Sequence, residues 1–261
     1  FKPNEEATTE TEPTLQLPTF QPSSKPTMKC FADRDELKPA VNLYMKTNCA
    51  RNEKQCSLAQ TYGWPMNSWC VGNVTDMSEL FSYMEDFNED ISGWDTSNVI
   101  NMERMFDGAT LFNSDLSSWS TSNVRDMDYM FAGATSFNSD LSSWNTENVT
   151  YMERVFYGAT SFNGDLSSWI TSSVTNMGFM FYDATSFNGD LSAWNTSSVQ
   201  NMGYMFYTYY ASSFNGDISA WNTKSVTDMK WMFNGATSFN GDLSAWNTTS
   251  VTEMDWMFRQ A

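Results

Sequence analysis

Ser161-Phe162-Asn163-Gly164-Asp165-Leu166-Ser167-Ser168-Trp169, with Val174, Met177, Met180 and Phe181 behind it, is one copy of a string that recurs through most of the 261 residues. The tryptophans set its register. Trp69, Trp94, Trp119, Trp144, Trp169, Trp194, Trp221 and Trp246 follow at steps of 25, with one step of 27. The two extra residues fall in 207–213, where YTYYASS replaces YDATS. A fixed period between 20 and 50 residues marks a solenoid or a propeller, and propeller blades need about 40 residues each, so 25 predicts a solenoid.

Each unit has two halves. Phe-Asn-x-Asp-Leu-Ser has the character of a short strand, with Leu166 and its equivalents pointing inward. Val-x-x-Met-x-x-Met-Phe has spacings of three and four, which suit a helical or 3-10 turn. Gly133-Ala134 and Gly158-Ala159 then turn the chain back. The expected fold is an α/β repeat solenoid, an elongated right-handed leucine-rich-repeat-like stack of 25-residue rungs over 71–261. Residues 1–29, rich in Pro, Thr and Glu, read as a disordered tail or linker.

Residues 30–70 read as a cap on the stack. Asp35 is expected to start a helix with Pro39 near its first turn, placing Leu37, Val41, Tyr44 and Met45 on one face. The four cysteines, Cys30, Cys49, Cys56 and Cys70, all lie here. An even count in one short segment predicts two disulfides, of undetermined pairing, and an oxidising compartment. No C-x-x-C pair and no histidine supports zinc instead.

The net charge is −17, and all of it resides in the repeats, because the basic and acidic residues of 1–70 cancel. Such a surface repels nucleic acid and anionic lipid and attracts cations and basic partners. The absence of histidine removes the commonest general base and metal ligand. No apolar run is long enough to span a membrane. The chain begins at Phe1 with no basic n-region and no apolar h-region, so a signal peptide, if there was one, is expected to have been removed already. Its carboxylates recur identically in every unit, whereas an active site needs one unlike constellation, so no enzyme is expected.

Read over 187–206, the string F-N-x-D-L-S-x-W-N-T-S-x-V-x-x-M-x-x-M-F resembles the 25-residue surface-protein repeat first noted in Mycoplasma lipoproteins, a relative of BspA-like leucine-rich repeats. The Asp35-Glu36-Leu37, Ala40-Val41 and Tyr44 segment, followed by Tyr62-Gly63-Trp64-Pro65, is similar to the cap of algal and diatom versions. Leu80 and Val155 depart from the pattern at Met positions. The resemblance implies a surface location and, broadly, adhesion.

Several columns of identical residues need a role. The Met, Val and Phe columns are core, because no unit can bury its apolar face alone. For Trp94, Trp119, Trp144, Trp169, Trp194, Trp221 and Trp246, two readings stand: buried indoles, or an exposed carbohydrate-binding strip. Asp90, Asp115, Asp140, Asp165, Asp190, Asp217 and Asp242 are read as hydrogen-bonded turn residues, with calcium bridging as the alternative. No cofactor is expected apart from that calcium. Thr96, Thr121, Thr146, Thr171, Thr196, Thr223 and Thr248 are read as turn hydroxyls, the alternative being a flat array that orders water. Asn73, Asn148, Asn195 and Asn247 head N-x-S/T sequons, the pattern of N-glycosylation.

The expected role is structural or adhesive, at a cell surface or in an extracellular matrix or fibre, through contacts along the solenoid. The alternative is carbohydrate- or calcium-dependent recognition by the Trp and Asp ladders. Partners are other extracellular proteins, copies of the chain, or glycans; nucleic acid and membrane insertion are excluded. The last residues, Phe258-Arg259-Gln260-Ala261, stop mid-unit, which suggests that the chain continues, that its remainder is disordered, or that an open rung docks head-to-tail into a fibre.

Overall fold

Asp33 opens the first helix. Its carboxylate accepts a hydrogen bond from the Glu36 N–H at 3.0 Å, and the Glu36 carboxylate accepts the N–H of Ala32, the residue before the cap, at 3.0 Å. Helix α1 therefore runs Arg34–Lys46, with its cap at Asp33 two residues ahead of the start expected at Asp35. Pro39 consequently sits in the second turn, and both it and Asp35, whose carbonyl it leaves unbonded, lie on the exposed face. Leu37, Ala40, Val41 and Tyr44 form the buried stripe, while Met45 is only partly buried.

The structure, a computed structural model, describes residues 28–261. Most of the expected tail lies outside the described residues; Met28 and Lys29 lie within them, and Lys29 is tied to the cap through its N–H to the Thr61 carbonyl and an ion pair with Glu36. Disulfides join Cys30 to Cys70 and Cys49 to Cys56. The first closes 40 residues, worth about 4 kcal/mol on the chain-entropy model. A second short helix, α2 (Ala59–Tyr62), brings Tyr62 onto Phe31, with ring centroids 4.1 Å apart. Tyr44 and Phe31 both pack on Trp69, the first tryptophan of the ladder. Among the described residues no helix is long and apolar enough to cross a membrane.

From residue 71 onward the backbone alternates between two kinds of hydrogen bond. The N–H groups of Met127, Tyr129, Phe131 and Gly133 donate to carbonyls of Tyr151, Glu153, Val155 and Tyr157 in the next unit, at 2.6–3.0 Å. The N–H groups between them, from Met130, Ala132 and Ala134, turn back three residues to Met127, Tyr129 and Phe131. The units thus stack in parallel, linked by bridges from Asp76 to Asn101, Asn101 to Asp126, and onward to Asp228 with Glu253. Each link spans 25 residues, apart from Asn201 to Asp228.

The strand expected in Phe-Asn-x-Asp-Leu-Ser does not form. Among the described residues no strand exceeds a single bridge, and the pairing lies in the other half of the unit, just before its first Met. The cause is local: within that segment the Ser142 N–H turns back to the Asp140 carboxylate and the Trp144 N–H to the Leu141 carbonyl, so the chain bends instead of extending, and in the other half a left-handed residue (φ 58° at Tyr129) holds the pairing to single bridges.

Two phenylalanine columns run through the core. Phe131 stacks on Phe137 within its unit at 3.9 Å, and on Phe106 and Phe156 in the units before and after at 5.6 and 5.8 Å. Full burial of each phenyl contributes about 1.5–3 kcal/mol. The two extra residues near 207–213 do not interrupt this column, since Phe206 and Phe214 still stack at 3.9 Å. They bulge outward and expose Tyr209 and Tyr210.

The cap completes the first rung's backbone. Carbonyls equivalent to Ser78 and Leu80 in later units accept from the preceding unit, and the first rung has no predecessor. Arg34 Nε donates to the Ser78 carbonyl at 2.7 Å, and Lys38 Nζ to the Leu80 carbonyl at 3.2 Å. The open edge is thereby closed by side chains.

Candidate functional site

The repeated columns are structural. Trp94 through Trp221 are only 2–3% exposed, and each indole Nε1 donates to a carbonyl of the preceding unit, from Met66 for Trp94 to Leu191 for Trp221, at 2.9–3.3 Å. Trp246 is part-buried and donates to Ile218. The exposed indole strip is therefore corrected: Trp169 N–H turns back to the Leu166 carbonyl at 3.1 Å, so the chain bends and both side chains point inward.

Each Asp of the ladder accepts the N–H of the serine two residues on, at 2.8–2.9 Å, from Asp90 with Ser92 to Asp242 with Ser244. These backbone bonds, helped by the serine hydroxyls, hold Asp115, Asp140, Asp190, Asp217 and Asp242 below the ordinary carboxylate range. Among the described residues no group of three or more His, Cys, Asp or Glu side chains is placed to hold a metal ion, so the calcium alternative finds no site.

The asparagine after each Phe forms its own ladder, Asn113 N–H to Asn88 Oδ1, then Asn138 to Asn113, and so on to Asn240 with Asn215. Thr96 through Thr223 are buried, and their hydroxyls donate to carbonyls of the following unit; Thr248, in the last unit, is exposed. A solvent-facing threonine array is absent from the buried members. The sequon asparagines Asn73, Asn148, Asn195 and Asn247 are all exposed.

One position that differs from unit to unit is the residue just before the second Met, or before Leu80 and Val155 where they replace it: Glu79, Arg104, Tyr129, Arg154, Phe179, Tyr204, Trp231 and Trp256. All eight have positive φ, between 53° and 59°. Bulky side chains seldom occupy that region. They form a column of their own on the flank. Arg104 lies over the Tyr129 ring at 4.1 Å, and Arg154 over Phe179 at 4.1 Å. Phe179 stacks on Tyr204 at 4.5 Å, and Tyr204 on Trp231 at 5.9 Å. The sequence reading passed over this column, although its variability within a near-invariant repeat was the available signal.

Beside the column runs an open groove of about 520 Å³. Gly108, Ala132 and Gly133 line it, with Arg104, Tyr129, Arg154, Phe179 and Tyr204 of the column along one wall. Tyr83, 72% exposed, stands at one end, its Cδ1 only 2.8 Å from where a Gly108 Cβ would lie. Tyr157 and Tyr182 stand at the other, stacked at 4.5 Å.

Carboxylates surround the two guanidinium groups. Asp107, nearly buried, lies 3.3 Å from Arg104 Nη1, and burial pushes its pKa up despite that neighbour. Arg104 also pairs with Glu103, and Arg154 pairs with Glu153. Asp128 is pushed up to about 7, chiefly by burial, with the charges of Asp126, Glu153 and Glu103 adding to it.

Neither the search of curated proteins nor that of solved structures returned a match. A family model does match, over residues 47–169, 139–210 and 208–261. Those spans begin at the end of α1 and take in every rung just described. The stack is thus the repeat of a family, and the chain belongs to the family described as Mycoplasma protein of unknown function, DUF285.

Proposed function

We propose that this chain is an extracellular structural or adhesive repeat protein, a right-handed leucine-rich-repeat-like solenoid that acts through contacts along its flank and catalyses no reaction. Kinship with the BspA-like repeats, and with their algal versions, is part of the same reading. The observation that carries it is the contrast between columns. The inward columns repeat almost without change, whereas the flank column of Arg104, Tyr129, Arg154, Phe179 and Tyr204 changes at every unit. A repeat scaffold that varies along one half-buried line on its flank has the form of a contact surface.

The two disulfides support an oxidising compartment. The net charge of −17 favours basic extracellular partners and disfavours nucleic acid. Repetition of the same carboxylates in the same turns argues against an active site. The partners in this reading are other extracellular proteins or further copies of the chain.

Surface digestion of intact cells that express the natural protein tests the location. Antibody against the repeats should stain unpermeabilised cells or their matrix, and mild external protease should remove the signal. Recovery of the protein only in the cytosolic fraction, with four thiols that alkylate without reduction, would refute the proposal.

A further inference from the structure

The groove has the attributes of a binding site for a sugar chain. We infer that the depression between Tyr83 and Tyr157 binds a short stretch of a neutral polysaccharide. The inference goes beyond the structural role proposed above and does not rest on it.

The first support is an aromatic face held in place. Tyr157, Tyr182 and Tyr207 occupy the same position in three successive units and stack at 4.5 and 4.6 Å. In the preceding unit that position is Ala132. The stack therefore stops at Tyr157, and the outer part of its ring face stays open to the groove, which Tyr157 and Ala132 both line. A pyranose presents a face of C–H groups that packs on such a ring, and the tyrosine stack behind Tyr157 fixes its orientation beforehand.

The second support is the polar wall. Arg104 and Asp107 sit 3.3 Å apart and present planar donors beside carboxylate acceptors. Tyr129 and Arg154 continue the wall, their side chains hydrogen-bonded to each other. Neighbouring hydroxyls on a sugar ring match this alternation of donor and acceptor.

The third support is length. Tyr83 and Tyr157 are three units apart in the stack, about 14 Å at the spacing of paired strands. The floor between them, Gly108, Ala132 and Gly133, carries no side chain beyond a methyl group.

The same geometry excludes rivals. An extended peptide adds to a sheet through free backbone groups. Here the N–H groups of Gly108 and Gly133 are taken by the carbonyls of Ala132 and Tyr157, at 2.7 and 2.6 Å. A polyanion meets Glu103, Asp107 and Glu153, whose charges offset those of both guanidinium groups. A cationic segment meets Arg104 and Arg154 on the wall it must lie along.

Isothermal titration of the full chain with neutral hexasaccharides of the β-1,3-glucan, β-1,4-glucan and mannan types tests the inference. Heparin and a lysine-rich peptide serve as charged probes. At least one neutral hexasaccharide should bind, and Tyr157→Ala should weaken it at least tenfold. Ala132→Tyr extends the tyrosine stack over the open face without removing any group, so it should weaken binding equally while leaving the melting curve intact. Tyr210→Ala, outside the groove, should change nothing. The inference is overturned if no neutral hexasaccharide binds, if Ala132→Tyr leaves binding unchanged, or if only heparin or the peptide binds.

Discussion

Thr146 offers a clean test of how the units are held together. Its side chain is fully buried, and its hydroxyl both donates to the Ile170 carbonyl at 3.0 Å and accepts the Ile170 N–H at 2.8 Å. Thr146→Val preserves the shape and removes both bonds. A neutral hydrogen bond contributes about 0.5–1.5 kcal/mol net, and a group left buried and unpaired costs about 1–3 kcal/mol. The Ile170 side chain is exposed, so water reaches part of this backbone, and the expected loss is about 2–3 kcal/mol. Thr121 makes one such bond, to Asn145 at 3.0 Å, so Thr121→Val should lose about 1–2 kcal/mol. Thr146→Ser keeps the oxygen and should lose about 1 kcal/mol for the missing methyl. Urea titrations followed by far-ultraviolet circular dichroism and by tryptophan fluorescence give these differences as midpoint shifts at constant slope. A Thr146→Val variant as stable as the parent, or a Thr146→Ser variant as damaged as the valine one, would refute the role assigned to the column.

Asp128 predicts an unusual pH response. Its folded pKa of about 7 lies above the ordinary carboxylate value, so between about 4 and 7 the folded state holds a proton that the unfolded chain releases. Its contribution therefore falls as pH rises through that window, and Asp128→Asn should flatten the loss of melting temperature between pH 5 and 8. Asp115, Asp140, Asp190, Asp217 and Asp242 act oppositely, because their lowered pKa values give stability that is lost as pH falls below the ordinary carboxylate value. Tryptophan quenching reads the burial of the ladder. Seven of the eleven indoles, Trp69 through Trp221, should resist both iodide and caesium, and Trp256→Phe should remove much of the quenchable signal, since Trp256 is 56% exposed. Quenching of most of the emission by both ions would contradict the inward indoles.

The period of 25 and the inward Met, Val and Phe columns were legible because stacking demands them in every unit. The fate of Trp169 was not. Leu166 and Trp169 lie three apart, which separates them in a strand and joins them in a turn, and the sequence carries both signals. Pairing was expected where Leu166 sits and occurs instead around Asn176 and Asn201, because Asp165 and Leu166 take up the N–H groups of Ser167 and Trp169 in a local turn that competes with a strand. At the start of α1, Asp33 and Asp35 are equally good caps by type, and only the position of Glu36 three residues after Asp33 decides between them. The groove depends on Ala132 standing where the next units have Tyr157 and Tyr182. Reading a repeat for what recurs hides a site made of what does not.

The hydrogen bonds that cross from unit to unit have a consequence for how the chain grows into shape. Each one joins residues about 25 apart, wherever along the array it lies. Closing a loop costs entropy that rises with the logarithm of its length, so this cost is the same for the last unit as for the second. Once α1 has met the edge of the first rung through Arg34 and Lys38, every later unit docks on a finished template. The array then behaves as a one-dimensional chain of nearest-neighbour steps. Lengthening it should raise its total stability in near-equal increments, while the time to add a unit stays constant.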